Sequence, residues 1–199
     1  MTTPLHIQPP GFLLGSASPR RRALLREMGF HFKVRTAEVD EVYPKRLQGH
    51  EITDYLCRIK SDALQDALQP GTLLLTADTI VWHQDTVLDK PESLETAAAA
   101  LRALSGKTHR VITSLCFRNS RETQIVHETT RVTFGKLEEH EILAYFERGN
   151  PLDKAGAYGI QEWIGMIGVE RIEGSYTNVV GLPTRLVYKT LRAMAKRGF

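Results

Sequence analysis

Residues 72–82 read TLLLTADTIVW, an apolar run broken by one carboxylate, Asp78. A strand with one wet face alternates apolar and polar residues, whereas a run like this is that of a strand buried on both faces. Such a strand needs other elements packed above and below it, which points to an α/β arrangement. It also raises a question of cost. A carboxylate inside an apolar strand is expensive to bury unless it meets a cation, a metal or hydrogen-bond donors. Asp78 is therefore either a group at a strand end facing a cleft or an acid paired locally at a strand bend.

The flanking segments supply the cover. FLLGS (12–16) is a short apolar strand, and a helix follows it directly. HFKVRTA (31–37) reads as a strand and 38–49 as an acidic loop with proline and glycine. The spacing of Ile52, Tyr55, Leu56, Ile59, Ala63 and Leu64 predicts a helix over 51–69, stopped by Pro70-Gly71. A second, alanine-rich helix ends at Gly106. HRVITSLCF (109–117) and HETTRVTF (127–134) predict an antiparallel hairpin. A helix over EEHEILAYFERGN (138–150), a glycine-containing loop, a strand near Ile167–Ile172 and a last helix from about Pro183 complete the chain. The expected fold is a mixed β-sheet with flanking helices, a single domain over 1–199 with residues 1–11 as a flexible leader.

No segment has the length of apolar sequence a bilayer crossing needs. The opening MTTPLHIQPPG lacks the basic-then-apolar pattern of a secretion signal. Cys57 and Cys116 stand apart in sequence without metal-ligand spacing, as reduced core residues of a cytoplasmic protein do. The net charge of +3 suits an anionic small substrate as well as nucleic acid.

GSASPRRR (15–22) holds a second conflict. Ser18 and Pro19 read as the N-cap and first residue of a helix, so Arg20, Arg21 and Arg22 fall in its first turn. That end already carries roughly half a positive charge. The conflict disappears if an anion binds there, with arginine forks matching phosphate oxygens; otherwise the arginines point into solvent. Glu41 adds a loop carboxylate, and Lys90 and Lys154 lie in loops. Lys60 lies on the polar side of its helix and is the weakest of the three lysines by pattern. Together these residues offer cations for phosphates and carboxylates for a divalent ion.

Three other motifs fail on context. Gly106-Lys107-Thr108 ends a phosphate-binding loop only in the order strand then helix, and here the order is reversed, so Gly106 reads as a helix end. LLREMGF (24–30) lacks the glutamate pair of a Nudix helix. The seven histidines show no HExxH spacing, and neither cysteine has a histidine near it in sequence, so zinc chemistry finds no support in the spacing.

Taken in order, LGSASPRRRALLREMGF, AEVDE, ADTIV, DKP, LSGKTHRV, DKAGAYGIQ and EGSYTNVVGLP resemble the successive motifs of the Maf proteins, from about residue 12 to 190. These are nucleoside triphosphate pyrophosphatases, historically linked to inhibition of septum formation. The resemblance implies a two-lobed α/β fold with a central cleft, similar to that of the inosine triphosphate pyrophosphatases. It also implies a divalent cation (Mg2+ or Mn2+) held by Glu41 and Asp78, with Asp78 as proton acceptor. Ser16, Arg20, Arg21, Lys60 and Lys90 match other polar positions of the family's site, and Arg20, Thr79 and Gln161 match positions tied to substrate choice. Lys154 joins them as a substrate-binding cation. DKAGAYGIQ resembles the subfamily acting on dTTP and UTP rather than 7-methyl-GTP. Glu162 and Trp163 depart from the pattern, which has a small residue after the glutamine.

The expected partner is thus a nucleoside triphosphate, with no stable nucleic-acid complex, no membrane and, by resemblance, a homodimer. Two other readings stand beside it. One is a pyrophosphatase with another base preference, for 7-methyl-GTP or a modified purine; the other is a nucleotide-sensing regulator without turnover.

Overall fold

The computed structural model describes residues 7–199. Its β-strands are β1 (Gly11–Leu14), β2 (Lys33–Val34), β3 (Thr72–His83), β4 (Thr86–Leu88), β5 (Thr108–Arg118), β6 (Thr123–Phe134) and β7 (Val169–Glu173). Its helices are α1 (Pro19–Glu27), α2 (His50–Asp62), α3 (Leu94–Leu104), α4 (Glu139–Arg148), α5 (Trp163–Gly168), α6 (Tyr176–Val180) and α7 (Thr184–Arg197). The seven strands form one sheet in the order β2-β1-β3-β5-β6-β7, with β4 paired to β3. β1 runs parallel to β2 and β3, whereas β4 and β7 run antiparallel to their neighbours. The sheet is therefore mixed, with helices around it, as the sequence predicts. Among the described residues no helix is long and apolar enough to cross a membrane.

Two compact units divide the chain. The first runs to Asp78 and adds Thr113–Glu128 and Gly181–Phe199; the second is Thr79–Ile112 with Thr129–Val180. Each has its own core. In the first, Phe12, Leu14, Leu25, Leu73, Leu75, Leu115, Phe117, Val187 and Leu191 pack together. In the second, Leu101, Leu104, Val111, Val132, Phe134, Tyr145, Tyr158 and Ile164 do. Leu73 to Ala77 are all buried, which accounts for the missing alternation in their stretch of β3.

Several expected boundaries move. The strand expected over 31–37 shrinks to two exposed residues beyond β1 in the sheet order, and a short strand there offers little edge for another chain to pair with. α2 ends at Asp62 rather than near 69, because the Leu64 N–H turns back to the Ser61 carbonyl and a 3₁₀ turn, Gln65–Ala67, carries the chain on. The strand expected near Ile167 starts at Val169, because the Glu162 carbonyl accepts from Gly165 and Met166 and starts α5 first. The leader expected over 1–11 overlaps the described residues from 7 on. Ile7 is in the first core, and the Gln8 side chain bonds both backbone groups of His31. Residues 1–6 of that leader lie outside the described residues.

Candidate active site

β3 and α2 build the centre of the first unit. Thr76 and Asp78 are two apart on a strand, so they share a face; Cys57 and Lys60 are three apart on a helix, so they share another. The faces meet. Thr76 Oγ1 donates to the Cys57 carbonyl at 2.7 Å, and Lys60 Nζ donates to Asp78 Oδ1 at 2.5 Å. The same ammonium lies 2.9 Å from Glu41 Oε1. Gly15 clears room beside Thr76, since a Cβ there would lie 2.5 Å from Thr76 Cγ2.

Asp78 is 6% exposed, in mid-strand, and its partner is a cation rather than a neighbouring threonine at a bend. Burial pushes its carboxyl above the usual carboxylate range; Lys60 and then Arg21 pull it back, while Glu41 adds to the rise. Lys60, the weakest lysine by pattern, holds the most direct contact with Asp78. Its side chain is half-buried, 17% exposed, against the strand that carries Asp78 rather than out in solvent.

The arginines are neither solvated nor simply open to an anion. Ser18 Oγ accepts from the Arg21 N–H at 3.4 Å and so caps α1 as expected. The Arg21 side chain turns inward: Nε donates to the Gly181 carbonyl at 2.8 Å, and Nη1 to the Ala77 carbonyl at 2.8 Å and Ser16 Oγ at 3.3 Å. Burial lowers its pKa, with Asp78 opposing and Arg20 assisting. Arg22 donates to the Ala17 carbonyl. The charge at this helix tip is thus partly spent on carbonyl oxygens, an outcome invisible in sequence because Gly181 is 160 residues from Arg21.

Ser16, Arg20, Arg21, Glu41, Lys60 and Asp78 are therefore brought together in one unit. Lys60 and Arg21 face Asp78 and Glu41, and Arg20, close enough to act on Arg21, leaves the cluster with net positive charge. Burying such ions costs several kcal/mol each before pairing recovers part of it. A cluster like this is weak as a stabilising device and typical of a site that must handle charge.

Thr79, Lys90, Lys154 and Gln161 belong to the second unit. Lys90 is exposed. Its loop is tied to the glycine-containing loop by the Gly156 N–H, which donates to the Asp89 carbonyl at 3.3 Å. Lys154, expected as a loop cation, lies inside the unit. It is 6% exposed, and Nζ reaches the Asn150 carbonyl at 2.6 Å, Asp153 at 2.5 Å and Glu162 at 2.8 Å. An ammonium has three N–H donors, and these three acceptors use them. Glu162 also accepts from the Tyr145 hydroxyl at 2.5 Å, and Trp163 lies under the Arg148 guanidinium, 5.2 Å from ring centroid to Cζ. The pair that departs from the family pattern thus anchors the loop carrying Gln161. Gln161 Oε1 is buried and makes no hydrogen bond in the structure.

Sequence reasoning missed one other association. Cys57 and Cys116, apart in sequence, are both buried and hydrogen-bonded to each other, which raises the first thiol and lowers the second. Gly106, read as a helix end, has φ +66° just beyond α3, consistent with that reading.

The family model described as Maf-like protein matches residues 11–194. A dTTP/UTP pyrophosphatase of Flavobacterium psychrophilum is 50% identical over 176 residues, covering 88% of this chain and 90% of its own length. One of Bacteroides thetaiotaomicron is 47% identical over 183 residues, covering 92% and 95%. A solved structure described as a nucleoside-triphosphatase, dITP/XTP pyrophosphatase, from Mycobacterium abscessus has 13% identity and a TM-score of 0.47, covering 94% of this chain and 97% of its own. That structural likeness is too slight to bear on function.

Proposed function

The chain belongs to the Maf-like protein family, and from that premise we propose that it hydrolyses nucleoside triphosphates, dTTP and UTP foremost, to the monophosphate and pyrophosphate. Relatives of nearly the same length carry dTTP/UTP pyrophosphatase as their name. The observation that carries the reading is the pairing of buried Asp78 with Lys60, beside Glu41 and Arg21. This arrangement combines an acid poised to take a proton with cations able to receive phosphate oxygens.

In this mechanism water attacks the α-phosphorus and pyrophosphate leaves. Asp78 accepts the water's proton. Its upward-shifted pKa makes it a stronger base than an exposed aspartate, and its burial fixes its direction. Because the leaving group gathers negative charge, its stabilisation is the main catalytic task. Lys60, Arg20 and Lys90 take phosphate oxygens. Arg21 contributes through its charge while holding Ser16 and the Ala77 carbonyl in place. Thr79 and Gln161 contact the base. A buried carboxamide oxygen with no partner calls for an N–H donor, which the ring N3–H of uracil and thymine supplies. Lys154 acts as the brace of this loop rather than as a phosphate ligand.

Glu41 and Asp78 fit a hard divalent cation: two carboxylates from separate elements already converge on one positive group, the Lys60 ammonium. Bound there, Mg2+ or Mn2+ would supply charge that polarises phosphoryl oxygens. A cytoplasmic setting fits two reduced, buried thiols. The homodimer is tested by light scattering on the purified chain.

The deciding experiment is a panel of dTTP, UTP, CTP, ATP, GTP and 7-methyl-GTP with Mg2+, read as pyrophosphate release. Release led by dTTP and UTP is the expected result. A different leading nucleotide moves the base preference, and binding without release makes the chain a sensor.

A further inference from the structure

We propose that the chain carries a second, separate site for a divalent transition metal of the zinc class, formed by His50, Asp54 and His127. His50 opens α2, and Asp54, four residues later, lies one turn along the same face. His127 meets them from β6. One ligand atom from each of the three residues lies within 4.8 Å of the other two. His127 Nδ1 is 3.5 Å from Asp54 Oδ1, and the two imidazoles stack with centroids 4.1 Å apart.

The donor set decides the class of ion. Two imidazoles and one carboxylate suit Zn2+, Co2+, Ni2+ or Cu2+, whereas Mg2+ and Ca2+ take oxygen ligands. Tetrahedral coordination at bond lengths near 2.1 Å puts ligand atoms roughly 3.4 Å apart, near the spacing here, and closing on an ion takes rotations that unstack the imidazoles and turn both in-plane lone pairs onto one point. Both histidines are exposed and free to make them. The carboxylate is held in place. Ser114 Oγ donates to Asp54 Oδ1 at 2.6 Å and lies 2.6 Å from Thr53 Oγ1. Hydrogen bonds of this kind to a ligand orient it and tune its affinity. Three protein ligands leave a further position open toward solvent.

This site differs in chemistry from the all-carboxylate pair Glu41 and Asp78 and does not depend on the function proposed above. A bound ion would tie the start of α2, the helix that carries Lys60, to β6.

The test uses the tag-free chain, stripped with chelator and titrated with Co2+ in the presence of excess Mg2+. Ligand-field absorption and a rise in melting temperature report binding. One equivalent of Co2+ is expected for the native chain and for Asp78→Asn, with affinity lower by about tenfold or more in Ser114→Ala and lost in His50→Ala and in His127→Ala. Both histidines are exposed, so either truncation leaves the fold intact, and circular dichroism checks this. No saturable Co2+ binding, or binding unchanged in both histidine variants, overturns the proposal. Binding abolished only by Asp78→Asn also overturns it, because it assigns the ion to the carboxylate pair.

Discussion

Asp78 concentrates the proposed chemistry at the scale of one residue because two opposing influences meet on it. Burial favours its protonated form, and the Lys60 ammonium at 2.5 Å favours the ionised one. Asp78→Asn keeps the size and removes the base. Pyrophosphate release from dTTP is expected to fall about 10²- to 10⁴-fold, with near-native turnover removing Asp78 from the mechanism. Lys60→Gln tests the balance itself. Without the ammonium, burial acts with less opposition, so the carboxylate ionises at higher pH. A base works only when ionised, so the acid limb of the kcat/KM profile against pH should move upward, whatever happens to the plateau. An acid limb that stays in place would separate Lys60 from the ionisation of Asp78. Lys60 also shows why side-chain roles are harder to read than elements. A helical wheel labels it polar, and nothing local says that the polar side of α2 lies against a strand carrying an acid 18 residues on.

At the scale of elements, the longer segments were legible, and the short strands β1 and β7 with them, whereas β4, α5 and α6 were not. β3 followed from its apolar run, β5 and β6 from the alternation of a hairpin, α2 from the spacing of its apolar residues and α3 from its alanine content. β4, α5 and α6 have three to six residues, too few for a period to show. The loop over 150–162 was visible as a glycine-containing stretch, but its internal framework was not, because Lys154, Tyr145 and Glu162 are joined by folding rather than by spacing. Glu162→Gln keeps the shape of that framework while removing the charge facing Lys154. It should cost about 1–3 kcal/mol, measured by urea unfolding, because a buried ammonium loses a charged acceptor. Gly156 tests the same loop through its backbone. Its φ is +67°, and a Cβ there would sit 3.0 Å from a Val81 methyl. Gly156→Ala should therefore destabilise by at least about 1–2 kcal/mol from the left-handed conformation alone. A cost near zero would mean that the loop settles into another conformation when the methyl is added.

The chain as a whole carries a stability that depends on pH through a group outside the proposed chemistry. His109 lies in the second core, with Nε2 2.7 Å from the Tyr158 hydroxyl and its ring beside Phe134 and Tyr158. Burial, aided by the neighbouring His83, depresses its pKa from 6.5 to about 3. Between those values the unfolded chain binds a proton that the folded chain does not, so stability rises with pH across the window and is lost as pH falls through it. At about pH 4.5 this one residue should have removed about 2–3 kcal/mol relative to neutral pH. Asp78 acts in the opposite sense, because its carboxyl is shifted up: the folded state holds the extra proton, and acidification lessens the cost of burying the group. Comparing the native chain with His109→Gln separates the two, since Asp78 is common to both. Unfolding free energies at neutral pH and at about pH 4.5 should show a drop smaller by about 2–3 kcal/mol in the variant, even if His109→Gln is less stable at neutral pH. An equal drop in both would place the acid sensitivity elsewhere and would mean that His109 reaches its proton without unfolding the core around it.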